Sequence, residues 1–148
     1  MRIRLLEGAD LDALLTLYGD LHAHDDRPPV RTDVEKTWNE ILGSERFLYF
    51  GGFVGDALVS ACNLTLVPNL TRACRPFGLI ENVVTHCGQR QKGYGSAVLR
   101  AALDHAWRAG CYKVMLLTGR RDEATLRFYR SVGFDAEGKQ GFIARPPR

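Results

Sequence analysis

A short glycine-rich turn constrains the fold of this chain more than any other segment. Residues 90–95 read Arg-Gln-Lys-Gly-Tyr-Gly and join the apolar run of residues 79–84 to a helical pattern that begins at Ser96. Glycine lets the backbone turn and approach a ligand closely, and the first turn of a helix offers unpaired N–H groups with a partial positive charge. A strand, this turn and a helix N-terminus together indicate a pyrophosphate-binding loop, and Arg90 and Lys92 add positive charge to it.

Two common phosphate-binding motifs do not fit this spacing. A nucleotide-hydrolase loop ends in Gly-Lys-Ser/Thr, whereas the lysine here, Lys92, precedes the first glycine. A dinucleotide fingerprint requires a third small residue where Val98 stands. Taken alone, the turn therefore also fits an ordinary glycine-rich start of a helix.

A second motif lies downstream, in residues 122–134, which read Asp-Glu-Ala-Thr-Leu-Arg-Phe-Tyr-Arg-Ser-Val-Gly-Phe. Phe128, Tyr129 and Val132 recur at helical spacing, and Gly133 suits a left-handed cap at the end of a helix. Arg-x-x-Gly-x-Gly after a strand, followed by a helix that ends Phe-Tyr-x-x-x-Gly-Phe, resembles the two signatures of the GNAT N-acetyltransferases. We therefore expect the α/β GNAT acyl-CoA N-acyltransferase fold, with a mixed central sheet flanked by helices, in a single domain over residues 1–148.

The C-terminal half also resembles one subgroup of that family, the glucosamine 6-phosphate N-acetyltransferases. Residues 80–84 read Ile-Glu-Asn-Val-Val where the subgroup typically reads Ile-Glu-Asp-Val-Val. Residues 110–114 read Gly-Cys-Tyr-Lys-Val, close to the Gly-Cys-Tyr-Lys-Ile of the subgroup. Asn82 and Thr125 depart from it, since those enzymes carry Asp and commonly Asn there.

The resemblance implies acetyl-CoA as the acyl donor and assigns its contacts. The pantetheine arm would pair with the backbone of residues 83–85, and the N–H groups of residues 90–96 would hold the pyrophosphate. Asp122 stands where many relatives carry an Asn near the pantetheine. The predicted cofactor-binding residues are Val83, Val84, Thr85, Arg90, Gln91, Lys92, Gly93, Tyr94, Gly95, Ser96, Asp122 and Thr125.

Tyr129 and Glu81 are the predicted catalytic residues. Tyr129 matches the family position that protonates or hydrogen-bonds the departing thiolate, and a phenol with a pKa of about 10 keeps its proton at neutral pH. Glu81 would accept the proton of the attacking amine, directly or through water. The alternative for Tyr129 is that it is only an aromatic residue of the core. The alternative for Glu81 is that it is an ordinary carboxylate of the sheet.

The acceptor side is less constrained by the sequence. A loop with His22, His24, Asp25, Asp26 and Arg27 would form one wall of the acceptor site, although any solvated loop has this composition. Arg72 and Arg75 would meet a substrate phosphate, or are simply exposed arginines. The acceptor is predicted to be a small-molecule primary amine, with an amino-sugar phosphate favoured. Another amine, of an amino acid, polyamine, aminoglycoside or protein, is the alternative within the enzyme class. A noncatalytic acyl-CoA-binding or sensing module is the alternative from another class.

Composition excludes several other classes. The 148 residues are 45% hydrophobic with a net charge of +3 and no basic tail, so a nucleic-acid partner is not expected. No apolar stretch approaches the roughly 20 residues of a membrane span. Four cysteines without a Cys-x-x-Cys pair indicate a reduced, cytoplasmic protein, and no metal is expected. His86 and Cys87 are predicted to point to opposite faces of a strand. A homodimer is a family-based expectation.

The remaining pattern predicts the flanking elements. Asp10 is expected to cap a first helix, and Thr32 with Glu35 has the spacing of a capping box for a second. Residues 47–53 and 57–67 read as a hairpin, residues 77–85 as the central strand, and residues 112–118 as a strand buried on both faces. The helix that begins at Ser96 should bury Trp107 on its apolar side. A final hairpin is predicted from residues 134–136 and 141–144.

Overall fold

The computed structural model describes residues 1–21 and 29–147, and in them a five-stranded sheet forms the centre of the fold. The strands lie in chain order, with antiparallel neighbours except for the parallel pair of the last two. This arrangement confirms the predicted mixed sheet. Its members are β1 (Arg2–Leu5), β2 (Phe47–Val54), β3 (Ala57–Val67), β4 (Phe77–Thr85) and β5 (Val114–Leu116).

Helices cover both faces of the sheet. One core cluster lies under α1 and α2 and includes Leu14, Trp38 and Val84, whereas the opposite cluster lies under α4 and includes Ile80 and Leu99. Burial of these apolar side chains on two faces fixes the sheet between the helices. The helices are α1 (Leu11–Tyr18), α2 (Arg31–Leu42), α3 (Thr71–Cys74), α4 (Tyr94–Arg108) and α5 (Glu123–Ser131), of which α3 is a single turn with left-handed backbone angles.

The central part of the chain follows the predicted pattern closely. The central strand has the predicted bounds, and the hairpin of β2 and β3 turns at Gly55. The helix after the glycine turn begins at Tyr94, two residues before the predicted start. Gly133, beyond α5, has a φ of 100° and so adopts the expected left-handed conformation. No helix within the described residues is long and apolar enough to cross a membrane.

The predicted C-terminal hairpin is wrong. In the part of the chain that the structure describes, no strand follows Leu116, and Phe142 and Ile143 are 85% and 67% exposed. A strand there would have no buried face to hold it. The predicted strand over residues 112–118 is shortened to three half-buried residues, and Trp107 is half-exposed where burial was expected.

The side-chain caps predicted at the N-termini of α1 and α2 are also wrong, because Asp10 and Glu35 bind other groups. Asp10 accepts hydrogen bonds from the backbone N of Glu7 at 2.7 Å and from the Arg4 guanidinium at 2.6 and 2.8 Å. This Arg4 contact lowers the pKa of the buried Asp10 carboxyl. Glu35 pairs with Arg31 at 2.7 Å, and α2 has no side-chain cap.

Candidate active site

A β-bulge in the central strand creates the candidate site. Ala61 pairs with Val84 while Asn63 pairs with Glu81, so β4 carries one residue more than β3 between these pairs. Asn82 lies in this interval with a φ of 53°, in the left-handed region that non-glycine residues rarely adopt. The extra residue exchanges the two faces of the sheet to which odd- and even-numbered side chains of β4 point. Ile80 therefore packs under α4, and Val84 packs under α1.

The strands β4 and β5 separate beyond the bulge. They pair over Gly78–Ile80 and Val114–Leu116, whereas β4 continues to Thr85. A cavity of about 860 Å³ opens in the gap, a size typical of ligand sites. The predicted site residues that line it are Glu81, Val83, Val84, Thr85, Arg90, Gln91, Gly93, Tyr94, Gly95, Ser96, Asp122, Thr125 and Tyr129.

One end of this cavity is built from the glycine turn and the first turn of α4. Gly93 precedes the helix with a φ of 80°. A Cβ on Gly95 would lie 3.1 Å from Thr85 Oγ1 and 3.2 Å from the Phe128 ring, so glycine lets the helix start approach β4. The unpaired N–H groups of the first helical turn and the nearby Arg90 make this end suitable for an anion.

Lys92 is the predicted cofactor-binding residue that does not line the cavity. Its Nζ donates a hydrogen bond to Gln89 Oε1 at 2.8 Å on the exposed side of the turn. Arg90 is placed differently, because its Nε donates to the Thr85 carbonyl at 3.3 Å. Arg90 therefore supplies a side-chain cation along the cavity wall, whereas Lys92 supports the turn from outside.

Polar side chains of β3 hold the bulged strand in position. Ser60 is fully buried, and its Oγ donates to the Val84 carbonyl at 2.9 Å and lies 2.9 Å from Thr85 Oγ1. Asn63 Oδ1 accepts from the Glu81 backbone N at 3.0 Å. These contacts satisfy backbone groups that the irregular pairing would otherwise leave without partners.

Tyr129 lines the same cavity in an aromatic environment. Its half-buried ring has the Phe128 ring centroid at 4.9 Å and the Phe134 centroid at 6.1 Å. Burial raises the pKa of the phenol, and the positive charge of Arg120 opposes this without cancelling it. Tyr129 therefore keeps its proton at neutral pH and is available as a donor.

Asp122 is already engaged within the protein. Its carboxylate caps α5 by accepting from the Thr125 backbone N at 3.0 Å and from Thr125 Oγ1 at 2.9 and 3.0 Å. Arg120 Nε donates to the same carboxylate at 3.0 Å. These contacts, led by the Thr125 backbone hydrogen bond, lower the pKa of Asp122. Asp122 and Thr125 thus position the start of α5 at the cavity wall.

Two of the predicted acceptor residues, Arg72 and Arg75, do not line the cavity. Their guanidinium carbons lie 5.9 and 6.0 Å from the Tyr112 ring centroid, in cation–π contact. The predicted loop residues His22, His24, Asp25, Asp26 and Arg27 lie outside the described residues. Of the acceptor-side predictions, Glu81 remains on the cavity wall, with its side chain exposed.

Sequence reasoning missed three features of the site. Arg120 lines the cavity near Tyr129, yet nothing in the local sequence distinguishes it from the adjacent Arg121. Asp20, at the end of α1, also lines the cavity. The prediction that His86 and Cys87 point apart is wrong, because β4 ends at Thr85 and a 3₁₀ turn over Cys87–Gln89 brings donor atoms of both side chains within 4.8 Å.

Comparisons with known proteins agree with this geometry. Residues 11–134 match the model of the acetyltransferase (GNAT) family. The chain is 30% identical over 147 residues to a glucosamine 6-phosphate N-acetyltransferase of Trypanosoma brucei brucei, with 95% of this chain and 92% of that protein covered. A rice protein, glucosamine 6-phosphate N-acetyltransferase 1, is 30% identical over 142 residues, with 90% and 80% covered. A solved structure of a putative acetyltransferase from Agrobacterium tumefaciens superposes with a TM-score of 0.92 at 40% identity, with 99% and 100% covered.

The left-handed backbone at Asn82 leads to a prediction about stability. Asn82→Val should lower the free energy of unfolding by about 1–2 kcal/mol, because a β-branched side chain clashes in this conformation. Asn82→Gly should change it by less than about 0.5 kcal/mol, since glycine adopts the conformation without a clash. Urea denaturation of both variants measures the difference. Equal losses in the two variants would instead assign the effect to the asparagine side chain.

Proposed function

The chain belongs to the GNAT family of acetyltransferases and is an acetyltransferase enzyme, and we propose that it transfers acetyl from acetyl-CoA to the amine of an amino-sugar phosphate. Enzymes of this family use acetyl-CoA as co-substrate. The observation that carries the proposal is one cavity lined by the anion-binding start of α4, by β4 beyond its pairing with β5, and by Tyr129. A donor with a charged diphosphate and a reactive thioester would find partners for both groups in this cavity.

The donor side of the proposal rests on backbone groups. The first turn of α4 would bind the diphosphate through unpaired N–H groups, with Arg90 adding charge. Backbone groups of Val83, Val84 and Thr85 would align the pantetheine arm, because β4 has lost its β5 partner along these residues. One of these N–H groups would stabilise negative charge that develops on the thioester oxygen.

The proton transfers are assigned to Tyr129 and Glu81. Bound acetyl-CoA supplies an electrophilic carbonyl and a thiolate leaving group. Tyr129 would donate its phenolic proton to the departing sulfur, which agrees with the pKa raised by burial. Glu81 would take the proton of the amine, because its exposed carboxylate lies on the cavity wall beside the bulge.

The proposal that the acceptor is an amino-sugar phosphate rests on the two 30% identical relatives and on the side chain of Arg120. Both relatives bear the name of glucosamine 6-phosphate N-acetyltransferases. A sugar phosphate requires a cation near the reaction centre, and Arg90 and Arg120 are the cations among the described lining residues. Arg90 lies in the diphosphate loop. Arg120 acts electrostatically on Tyr129 and is proposed to bind the acceptor phosphate.

Three further expectations stay predictions. The chain is proposed to form a homodimer, which is supported by the exposed Phe142 and Ile143 on the C-terminal segment, since exposed apolar surface often marks an interface. A cytoplasmic site of action is proposed from the cysteine pattern of the sequence. The reaction itself is proposed to need no metal.

Acceptor identity is tested by measuring free thiol released from acetyl-CoA with a panel of amines. We expect the fastest release with glucosamine 6-phosphate and much slower release with glucosamine, amino acids, polyamines and aminoglycosides. Fast release with another amine would keep the acetyl transfer and overturn the sugar-phosphate assignment. No thiol release with any amine, despite saturable acetyl-CoA binding, would support a sensing module or a protein acceptor.

Tyr129→Phe tests the proton donor. We expect kcat to fall about 100-fold or more, within the range of general acid catalysis, while the dissociation constant of acetyl-CoA stays unchanged. Tyr112→Phe is the matched control, because Tyr112 does not line the cavity. Steady-state kinetics and calorimetric titration of acetyl-CoA give the two quantities. Unchanged kcat would remove Tyr129 from this role.

Arg120→Gln tests the contact with the acceptor phosphate. Loss of a charged hydrogen bond should raise KM for glucosamine 6-phosphate about 10- to 100-fold, with little change in the KM for acetyl-CoA. The adjacent, exposed Arg121→Gln is the control, because Arg121 does not line the cavity. A lower kcat at constant KM would instead assign Arg120 to the electrostatics of Tyr129.

A further inference from the structure

Three side chains that ligate metals in other proteins meet beside the diphosphate end of the cavity. Asp20 follows α1, and His86 and Cys87 follow β4, so the fold brings together residues that are distant in sequence. One donor atom from each lies within 4.8 Å of the other two, the single such group found among the described residues. None of the three has a role in the proposed acetyl transfer.

Contacts already hold these side chains near one another. The Cys87 backbone N donates to Asp20 Oδ2 at 3.3 Å. His86 Nδ1 accepts from the Gly88 backbone N at 3.1 Å, which orients the ring. A carboxylate, a thiol and an imidazole thus lie together at the surface.

We propose that Asp20, His86 and Cys87 bind one divalent cation of the zinc type. A thiolate and an imidazole select Zn²⁺ and similar ions, whereas Mg²⁺ and Ca²⁺ require more oxygen ligands than one carboxylate provides. Tetrahedral zinc with bonds of about 2.0–2.3 Å places its ligand atoms about 3.3–3.6 Å apart. The observed separations, all within 4.8 Å, require a closure of about 1.5 Å at most, which side-chain rotation of exposed residues can supply.

The binding step balances in protons and charge. The cation replaces the thiol proton of Cys87, which leaves to solvent, and bonds form to the Cys87 sulfur, an Asp20 oxygen and a His86 nitrogen, with water in the fourth position. The hydrogen bond from Gly88 N to His86 Nδ1 is lost whichever ring nitrogen binds the cation. If Nδ1 binds, its lone pair is used, and if Nε2 binds, the ring proton moves to Nδ1. The affinity should therefore be lower than that of a structural site with four protein ligands.

The test titrates the metal-free, full-length protein with Zn²⁺ in a calorimeter and with Co²⁺ in a spectrophotometer. We expect one cation per chain, release of one proton per cation, and a thiolate-to-cobalt charge-transfer band in the near ultraviolet. Cys87→Ser should abolish the band and weaken Zn²⁺ binding at least 10-fold, and Asp20→Asn should weaken Zn²⁺ binding while keeping the band. Cys74→Ser, at an exposed cysteine elsewhere on the surface, is the matched control and should change neither.

Three outcomes would overturn the site. They are no saturable binding of Zn²⁺, binding that Cys87→Ser and Asp20→Asn both leave unchanged, and a cobalt band that Cys74→Ser removes. Circular dichroism spectra confirm that each variant folds. Since the titrations require neither acetyl-CoA nor an acceptor, their outcome is independent of the proposed acetyl transfer.

Discussion

The extra residue in β4 at Asn82 is the constraint on which the rest of the structure depends. Without this residue, the side chains of β4 would alternate between the two faces of the sheet without interruption. The strand could then continue beside β5, and the cavity between the two strands would close. The left-handed backbone at Asn82 costs free energy of order 1 kcal/mol. Hydrogen bonds from Ser60 and Asn63 of β3 offset this cost. The two core clusters also offset it, because each half of β4 buries an apolar side chain in one of them. The strain is thus located where the ligand-binding gap opens.

The glycine turn and the surroundings of Tyr129 differ in how they supply charge to the cavity. At the start of α4 the charge comes mainly from backbone N–H groups, whose direction is fixed by Gly93 and by the close approach of Gly95 to β4. Around Tyr129 it comes from side chains, and burial of the phenol outweighs the charge of Arg120 in setting the direction of the pKa shift. Arg120 is partly neutralised by Asp122, which helps to explain why burial dominates. The glycine turn is therefore suited to bind an anion, and Tyr129 to donate a proton.

The sequence predicted the parts of the fold that depend on local spacing. The bounds of β4, the glycine turn and the helix over Glu123–Ser131 follow from runs and periods that a single segment contains. The bulge could not be predicted, since Asn82 looks like an ordinary polar residue of an apolar strand. The Asp10 cap failed because Arg4 and the Glu7 backbone compete for the same carboxylate. The final hairpin failed because alternation alone cannot show that no partner face exists for Phe142.

The same distinction separates the proposed donor site from the proposed acceptor site. The proposed donor contacts come mainly from backbone groups, and a motif of glycines and strand residues determines their positions with little regard to side chains. The proposed acceptor contacts depend on single side chains from segments that meet only in the folded chain. Arg72 and Arg75 had the right charge for a phosphate but pack over Tyr112, whereas Arg120 lines the cavity without any local signature. The proposed acceptor contact therefore depends on tertiary placement of a few charges, which spacing along the chain does not encode.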